Sequence, residues 1–178
     1  MADCIINKGI ARGCRDNASG LYTLFVANYP SGTTTSSAFL TKDENGMVTD
    51  FTGSSVTTPV TFYEFTPNKN SGAFTEEYQI SLENGVHSYS QKVEASFAKM
   101  DQEKQNLIDS LASGNFLVVA KDRNGKFFLM GENDAAAIGA GTAGSGKGLT
   151  DLNGYALTFE ASEGKPSPEV DPAAIHTT

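Results

Sequence analysis

The sequence predicts a mainly β chain with one short flanking α-helix and one long, extended β-hairpin. Three observations carry that expectation. The 178 residues include 18 Gly, 11 Phe and 6 Tyr but no Trp. With abundant Thr and Ser, this is the composition of half-buried strands joined by many turns. Asn-Gly occurs at Asn45-Gly46, Asn84-Gly85, Asn124-Gly125 and Asn153-Gly154, and the pair suits the positive φ angles of a two-residue hairpin turn. Between Ala73 and Met100, polar and apolar residues alternate on both sides of one such turn, the period of a strand with one buried face.

The elements follow in order. Residues 21–29 (LYTLFVANY) form a mostly apolar run between Gly20 and Pro30, and residues 60–66 (VTFYEFT) form another, closed by Pro67; both read as core strands. The long hairpin comes next, AFTEEYQISLE against VHSYSQKVEASFAKM. With Asn84 and Gly85 as the two loop residues, Glu83 falls opposite Val86, Ser81 opposite Ser88, Gln79 opposite Ser90, Glu77 opposite Lys92 and Thr75 opposite Glu94. That face is polar throughout. The other carries Phe74, Tyr78, Ile80 and Leu82 with Tyr89, Val93, Ala95 and Phe97, interrupted by Glu76, His87 and Gln91. Eleven residues at about 3.3 Å each make an arm of roughly 36 Å, about twice an ordinary strand and more than a domain core needs.

Asp101 can cap a helix over residues 101–113, with Leu107, Ile108 and Leu111 as its apolar stripe and Gly114 to close it. Residues 116–121 and 126–130 read as a tight hairpin around Asp122-Arg123-Asn124-Gly125, and residues 154–161 (GYALTFEA) as the last strand. Residues 1–161 are thus one β-rich domain. Residues 162–178, with three prolines and no apolar periodicity, are expected to be an extended C-terminal arm.

Lys plus Arg number 13 against 21 Asp plus Glu, a net charge of −8. This argues against a surface that grips nucleic acid or an anionic membrane, yet is compatible with one that encloses DNA without gripping it. The N-terminal MADCIINKGIARGC has Asp3 and no sustained apolar run, so residence in the cytoplasm is expected rather than export or anchoring. Cys4 and Cys14 match no zinc spacing and read as small buried hydrophobes.

The stretch GAGTAGSGKG at residues 139–148 contains both G-x-G-x-x-G and G-x-x-x-x-G-K. A phosphate cradle needs a helix leading out, so that its N-terminus and the loop N–H groups face the anion. Here Gly148 stands where a Ser or Thr should hold Mg²⁺, and Asn153-Gly154 follows too soon to leave room for a helix. The stretch reads instead as a flexible glycine loop. His87 beside a turn and His176 in the tail are expected to be exposed. Asp43-Glu44 and Glu76-Glu77 would point to opposite strand faces, wrong for a two-carboxylate site, and Arg15-Asp16 reads as a structural ion pair. No catalytic residue, metal ligand or cofactor is expected, and the chain does not read as an enzyme.

GIARGCRDN at residues 9–17, DRNGKFFLMG at 122–131, and GYALTF at 154–159 followed by Glu160, Glu163 and a proline-rich end together resemble tail structural proteins of tailed phages infecting Bacteroidetes, the tail tube proteins in particular. The resemblance implies a β-sandwich or barrel of the tail-tube type with a flanking helix. It also implies a virion structural role in which six copies form a ring, long hairpins join around a channel, and stacked rings conduct DNA during ejection. Implied partners are the chain itself and other tail proteins (sheath, baseplate, terminator). DNA would pass without specific binding, no membrane is involved, and the place is the virion tail after assembly in the host cytoplasm. In that setting the polar face of Thr75, Glu77, Gln79, Ser81, Glu83, Ser88, Ser90, Lys92 and Glu94 lines the channel. Its carboxylates repel phosphates within the Debye length of about 8 Å. The segment carrying Gly139, Gly141, Gly144, Gly146, Lys147 and Gly148 would touch the next ring, as segments without intrinsic order often settle on binding. The competing readings are a baseplate, neck or hub ring, the tube of a contractile injection system, and a monomeric β-type ligand-binding module.

Overall fold

The computed structural model describes residues 9–10, 17–30, 39–52 and 60–177. Cys4, Cys14 and the Arg15-Asp16 pair lie outside the described residues. The described elements are β1 (Leu21–Asn28), β2 (Thr41–Lys42), β3 (Val48–Asp50), β4 (Thr61–Phe65), β5 (Ala73–Ser81), β6 (Val86–Ala98), α1 (Gln102–Ala112), β7 (Phe116–Asp122), β8 (Phe127–Met130), β9 (Ala137–Gly144), β10 (Gly154–Glu163), a 3-10 turn (Pro172–Ala174) and β11 (His176–Thr177).

They build three separate sheets. One has the order β11-β4-β1-β7-β8, the second β5-β6-β10-β9, and the third is the pair β2-β3. Pairing is antiparallel except for β11 against β4. None of the three closes on itself, and this corrects the expected β-sandwich or barrel of the tail-tube type. A mainly β chain with one short helix stands, and the closed architecture does not. Strand pattern alone specifies which residues face a core, but not whether the ends of a sheet meet.

The five-stranded sheet is central because both of its faces are apolar. Leu24, Val26, Val118, Ala120 and Met130 point to one side, into a cluster shared with Val93, Ala95, Leu157, Phe159 and Ala161 of the four-stranded sheet and Leu111 of α1. Ala27, Phe62, Leu117, Val119 and Leu129 point to the other, into a cluster closed by Phe39, Phe51, Val48, Val170 and Ala174. The β2–β3 pair and the C-terminal arm therefore cover the second face.

Residues 162–177 run along the central sheet. β10 runs on to Glu163, and the chain then passes along the β8 edge, where Leu129 N–H donates to the Pro168 carbonyl and Val170 N–H to that of Phe127. It crosses β3, with bonds between Val48 and both Glu169 and Asp171, and ends as β11 on the free side of β4. One arm thus pairs at both sides of the central sheet.

Two turns share a design. In Asp43-Glu44-Asn45-Gly46 the Asp43 carboxylate accepts from the N–H groups of Asn45 (2.9 Å) and Met47 (2.8 Å). In Asp122-Arg123-Asn124-Gly125 the Asp122 carboxylate accepts from Asn124 (2.9 Å) and Lys126 (2.7 Å). The glycines take φ of +87° and +79°, which an L side chain resists. Asn153-Gly154 is no turn: Gly154 begins β10, and a Cβ there would collide with the Phe97 carbonyl of β6. Asp101 caps α1 by accepting from Lys104 N–H at 2.8 Å. Gly114 is needed for the Phe116 ring that lies against it, and not for a left-handed closure.

Phe159 is fully buried in the cluster that joins the two larger sheets, whereas Leu82 at the hairpin turn is 92 % exposed. Phe159→Ala is expected to lower unfolding free energy by about 3–5 kcal/mol. Leu82→Ala should stay within about 0.5 kcal/mol of the parent, as surface changes do. Urea denaturation followed by circular dichroism measures both.

Candidate functional site

The long hairpin is β5 and β6, and its register differs from the expected one by two residues. Thr75 faces Lys92, Glu77 faces Ser90, Gln79 faces Ser88 and Ser81 faces Val86. The turn is therefore Leu82-Glu83-Asn84-Gly85, and Glu83 leaves the strand face. Tertiary contacts override the two-residue Asn-Gly turn. Phe74 sits opposite Val93, Tyr78 opposite Tyr89 with ring centroids 5.1 Å apart, and the Gln91 amide donates to Glu76 at 3.2 Å. A slip of two keeps side-chain parity. Thr75, Glu77, Gln79, Ser81, Ser88, Ser90, Lys92 and Glu94 thus remain on one face.

That face continues across the sheet. The β10 residues beside β6 are Ser162 opposite Ser90, Glu160 opposite Lys92, Thr158 opposite Glu94 and Ala156 opposite Ser96. Beyond them on β9 lie Ala140 opposite Thr158 and Thr142 opposite Ala156. Apart from Val86 beside the turn, every side chain on this surface is small, polar or charged, and none of them is buried. Its charges are Glu77, Glu94 and Glu160 against Lys92. Lys92 donates to Glu94 at 2.8 Å; that hydrogen bond first, then the charges of Glu94, Glu160 and Glu77, raise the Lys92 pKa. Sequence reasoning missed Glu160, Thr158, Ser162 and Thr142, although GYALTFEA alternates in the same way.

The segment read as a glycine loop is half strand. Gly139, Gly141 and Gly144 lie in β9, paired with β10, and Gly146, Lys147 and Gly148 lie in the connection to β10. The glycines make room for neighbours. A Cβ on Gly139, at the bulge between the Thr158 and Phe159 pairings, would strike the Glu160 side chain, and one on Gly141 would come within 3.2 Å of Leu157. After Gly148 the chain turns directly into β10, without the helix a phosphate cradle uses. The N–H groups of Lys147 and Gly148 are already occupied by the Asp151 carboxylate, at 2.9 and 2.7 Å. Those bonds, Gly148 first, hold Asp151 below its ordinary pKa.

The other expected residues do not converge. His87 and His176 are exposed. Glu76 faces the core side, accepting from Gln91 and from Ser167 N–H at 2.7 Å, while Glu77 is on the polar face. Asp43 and Glu44 are in a turn. Among the described residues no group of three or more His, Cys, Asp or Glu is placed to hold a metal ion, and no helix is long and apolar enough to cross a membrane.

Comparison with protein-family models, with curated proteins and with solved structures finds no match. The site therefore stands on its geometry.

Two further features complete it. Among the described residues, no backbone hydrogen bond reaches the outer edge of β5 or β9. β10 ends beside Tyr89, so beyond the Tyr78–Tyr89 pair the hairpin is a two-stranded ribbon; Tyr78, Ile80 and Leu82 are 64, 68 and 92 % exposed, and Val86, on the polar face, is 59 % exposed. At the other end of β6, a groove of about 590 Å³ opens between α1 and the two larger sheets. Tyr63, Phe65, Phe97, Leu107, Ile108 and Tyr155 are among its lining residues.

The Asp151 clamp has a pH signature. Its folded pKa is depressed, so the clamp is intact above the ordinary carboxylate range and is lost as pH falls through the lowered folded value. Amide protection at Lys147 and Gly148, followed by hydrogen exchange, should drop on acidification through that window. Asp151→Ala should abolish the protection at neutral pH while leaving β7 amides protected.

Proposed function

We propose that this chain is the repeating subunit of a phage tail tube. Copies pair edge to edge, β5 of one against β9 of the next, into rings of six that stack around a channel for DNA. The proposal asks no sheet to close within one chain; the surface continues only between copies. The observation that carries it is the contrast between edges. The arm pairs at both sides of the central sheet, while among the described residues the four-stranded sheet keeps two unpartnered edges beside a face that is polar except for Val86 at the turn. Exposed edges template pairing with another chain and are ordinarily blunted, so two unpartnered edges on one sheet fit lateral self-association.

The polar face then lines the channel. Three carboxylates against one ammonium disfavour lasting contact with phosphates, over a range of about one Debye length. Small side chains such as Ser88, Ser90, Ser162 and Thr142 leave a smooth wall. The same reading assigns the chain to the virion tail after assembly in the host cytoplasm, with other tail proteins at the ends and outside of the tube.

Electron microscopy of the purified chain is expected to show rings or filaments with an open centre; a chain that stays monomeric at high concentration favours a ligand-binding module using the groove beside α1. Neighbouring residues of a strand aim their N–H groups to opposite sides, so Gly141→Pro or Thr142→Pro removes only an outward donor of β9, which an edge strand tolerates. One of the two variants should keep the parent circular dichroism and lose ring formation. Rings from both folded variants would sink edge pairing.

A further inference from the structure

We propose that the apolar tip of the β5–β6 hairpin of one copy seats in the groove beside α1 of a second copy displaced along β6. This makes a head-to-tail contact at right angles to the edge pairing. A two-stranded ribbon without a third strand or a packed face is marginal in water, and this one exposes Tyr78 and Ile80 on one face and Leu82 at the turn. Such a cluster marks an interaction surface.

The second copy as occupant follows from where the two surfaces lie. Tyr78, Ile80 and Tyr89 occupy the core-side face of the four-stranded sheet, as do Phe97, Tyr155 and Leu157, which line the groove. The tip is at the Val86 end of β6 and the groove is at the Ala98 end. A shift along the strands therefore brings the tip of one molecule over the groove of another without turning it over. The contact is heterologous and leaves a free tip and a free groove, so it repeats. It also leaves β5 and β9 free to pair sideways.

The groove suits this occupant chemically. It is lined mainly by aromatic and aliphatic side chains, and its charged residues, Glu64 and Lys104, cancel. A strongly charged partner gains nothing there, whereas Ile80 and Leu82 would leave water. Tyr63 and Leu107, 55 and 45 % exposed, would be covered in the same step. Each contact is small, but six in register between two rings act together, so modest pairwise affinity suffices for stacking.

The stacking of rings rests on the tube reading, whereas the tip-to-groove contact is testable without it. Ile80→Asp/Leu82→Asp changes the tip and Leu107→Asp changes the groove, each at an exposed position. Each variant alone is expected to form single rings and to lose longer stacks in electron micrographs. Mixed, the two should give particles of two rings and no more, because one intact groove then meets one intact tip. If tip-variant rings stack like the parent, the proposal is overturned. A second arm covers a chain that forms no rings at all. Leu82→Cys copies are mixed with Leu107→Cys copies, both with Cys4 and Cys14 changed to Ser, and oxidised. A heterodimer joined by a disulfide is expected; its absence overturns the contact.

Discussion

Backbone N–H and C=O groups at a sheet edge must find partners in water, in the same chain or in another chain, and much of this molecule is arranged around that constraint. The central sheet resolves it internally. Residues 168–170 bond to the β8 edge and His176–Thr177 pair with β4, so a proline-rich tail with little structure of its own supplies partners at both sides of the central sheet. The four-stranded sheet does not resolve it among the described residues. Its open edges, more than any pocket, are what the functional reading is built on.

The two larger sheets are held in relation by a small buried polar set as well as by the apolar cluster. Gln91, buried on β6, donates to Glu76 of β5 and accepts from Gly131 N–H just after β8, while Glu76 accepts from Ser167 N–H of the arm. Hairpin base, central sheet and arm therefore meet at one amide. Leaving such a group unsatisfied costs about 1–3 kcal/mol, which sharpens the register in a way that interchangeable apolar contacts do not. Beyond Tyr78 and Tyr89 nothing comparable restrains the ribbon.

Legibility in the sequence divides along the same line. Alternation in AFTEEYQISLE and VHSYSQKVEASFAKM was enough to assign the polar face, because parity is a local property. The pairing was displaced by two residues because Phe74, Tyr78 and Gln91 choose partners that the turn cannot know about. AIGAGTAG carries no strand signal, its Ala and Gly being poor strand formers. β9 exists because β10 offers it a ladder and because Glu160 and Leu157 need the space that Gly139 and Gly141 leave. The closed fold implied by resemblance failed for a related reason: closure belongs to how sheet ends are disposed in space, and no residue of the chain announces it.

The two-residue displacement shows which property the proposed function depends on. A slip of one would have sent Glu77 to the side of Val93 and Phe159 and turned Tyr78 outward onto the polar face, which buried charge forbids. A slip of two costs only a change of turn. It removes Glu83 from the strand face and lengthens the loop to Leu82–Gly85, placing Leu82 at the apex of the ribbon instead of in its ladder. The contacts of Phe74, Tyr78 and Gln91 thus fix both parity and register, and with them the four-residue turn. The base of the hairpin is fixed by buried side chains while its apex is apolar and unsupported, and under the proposed assembly it is this apex that meets another copy.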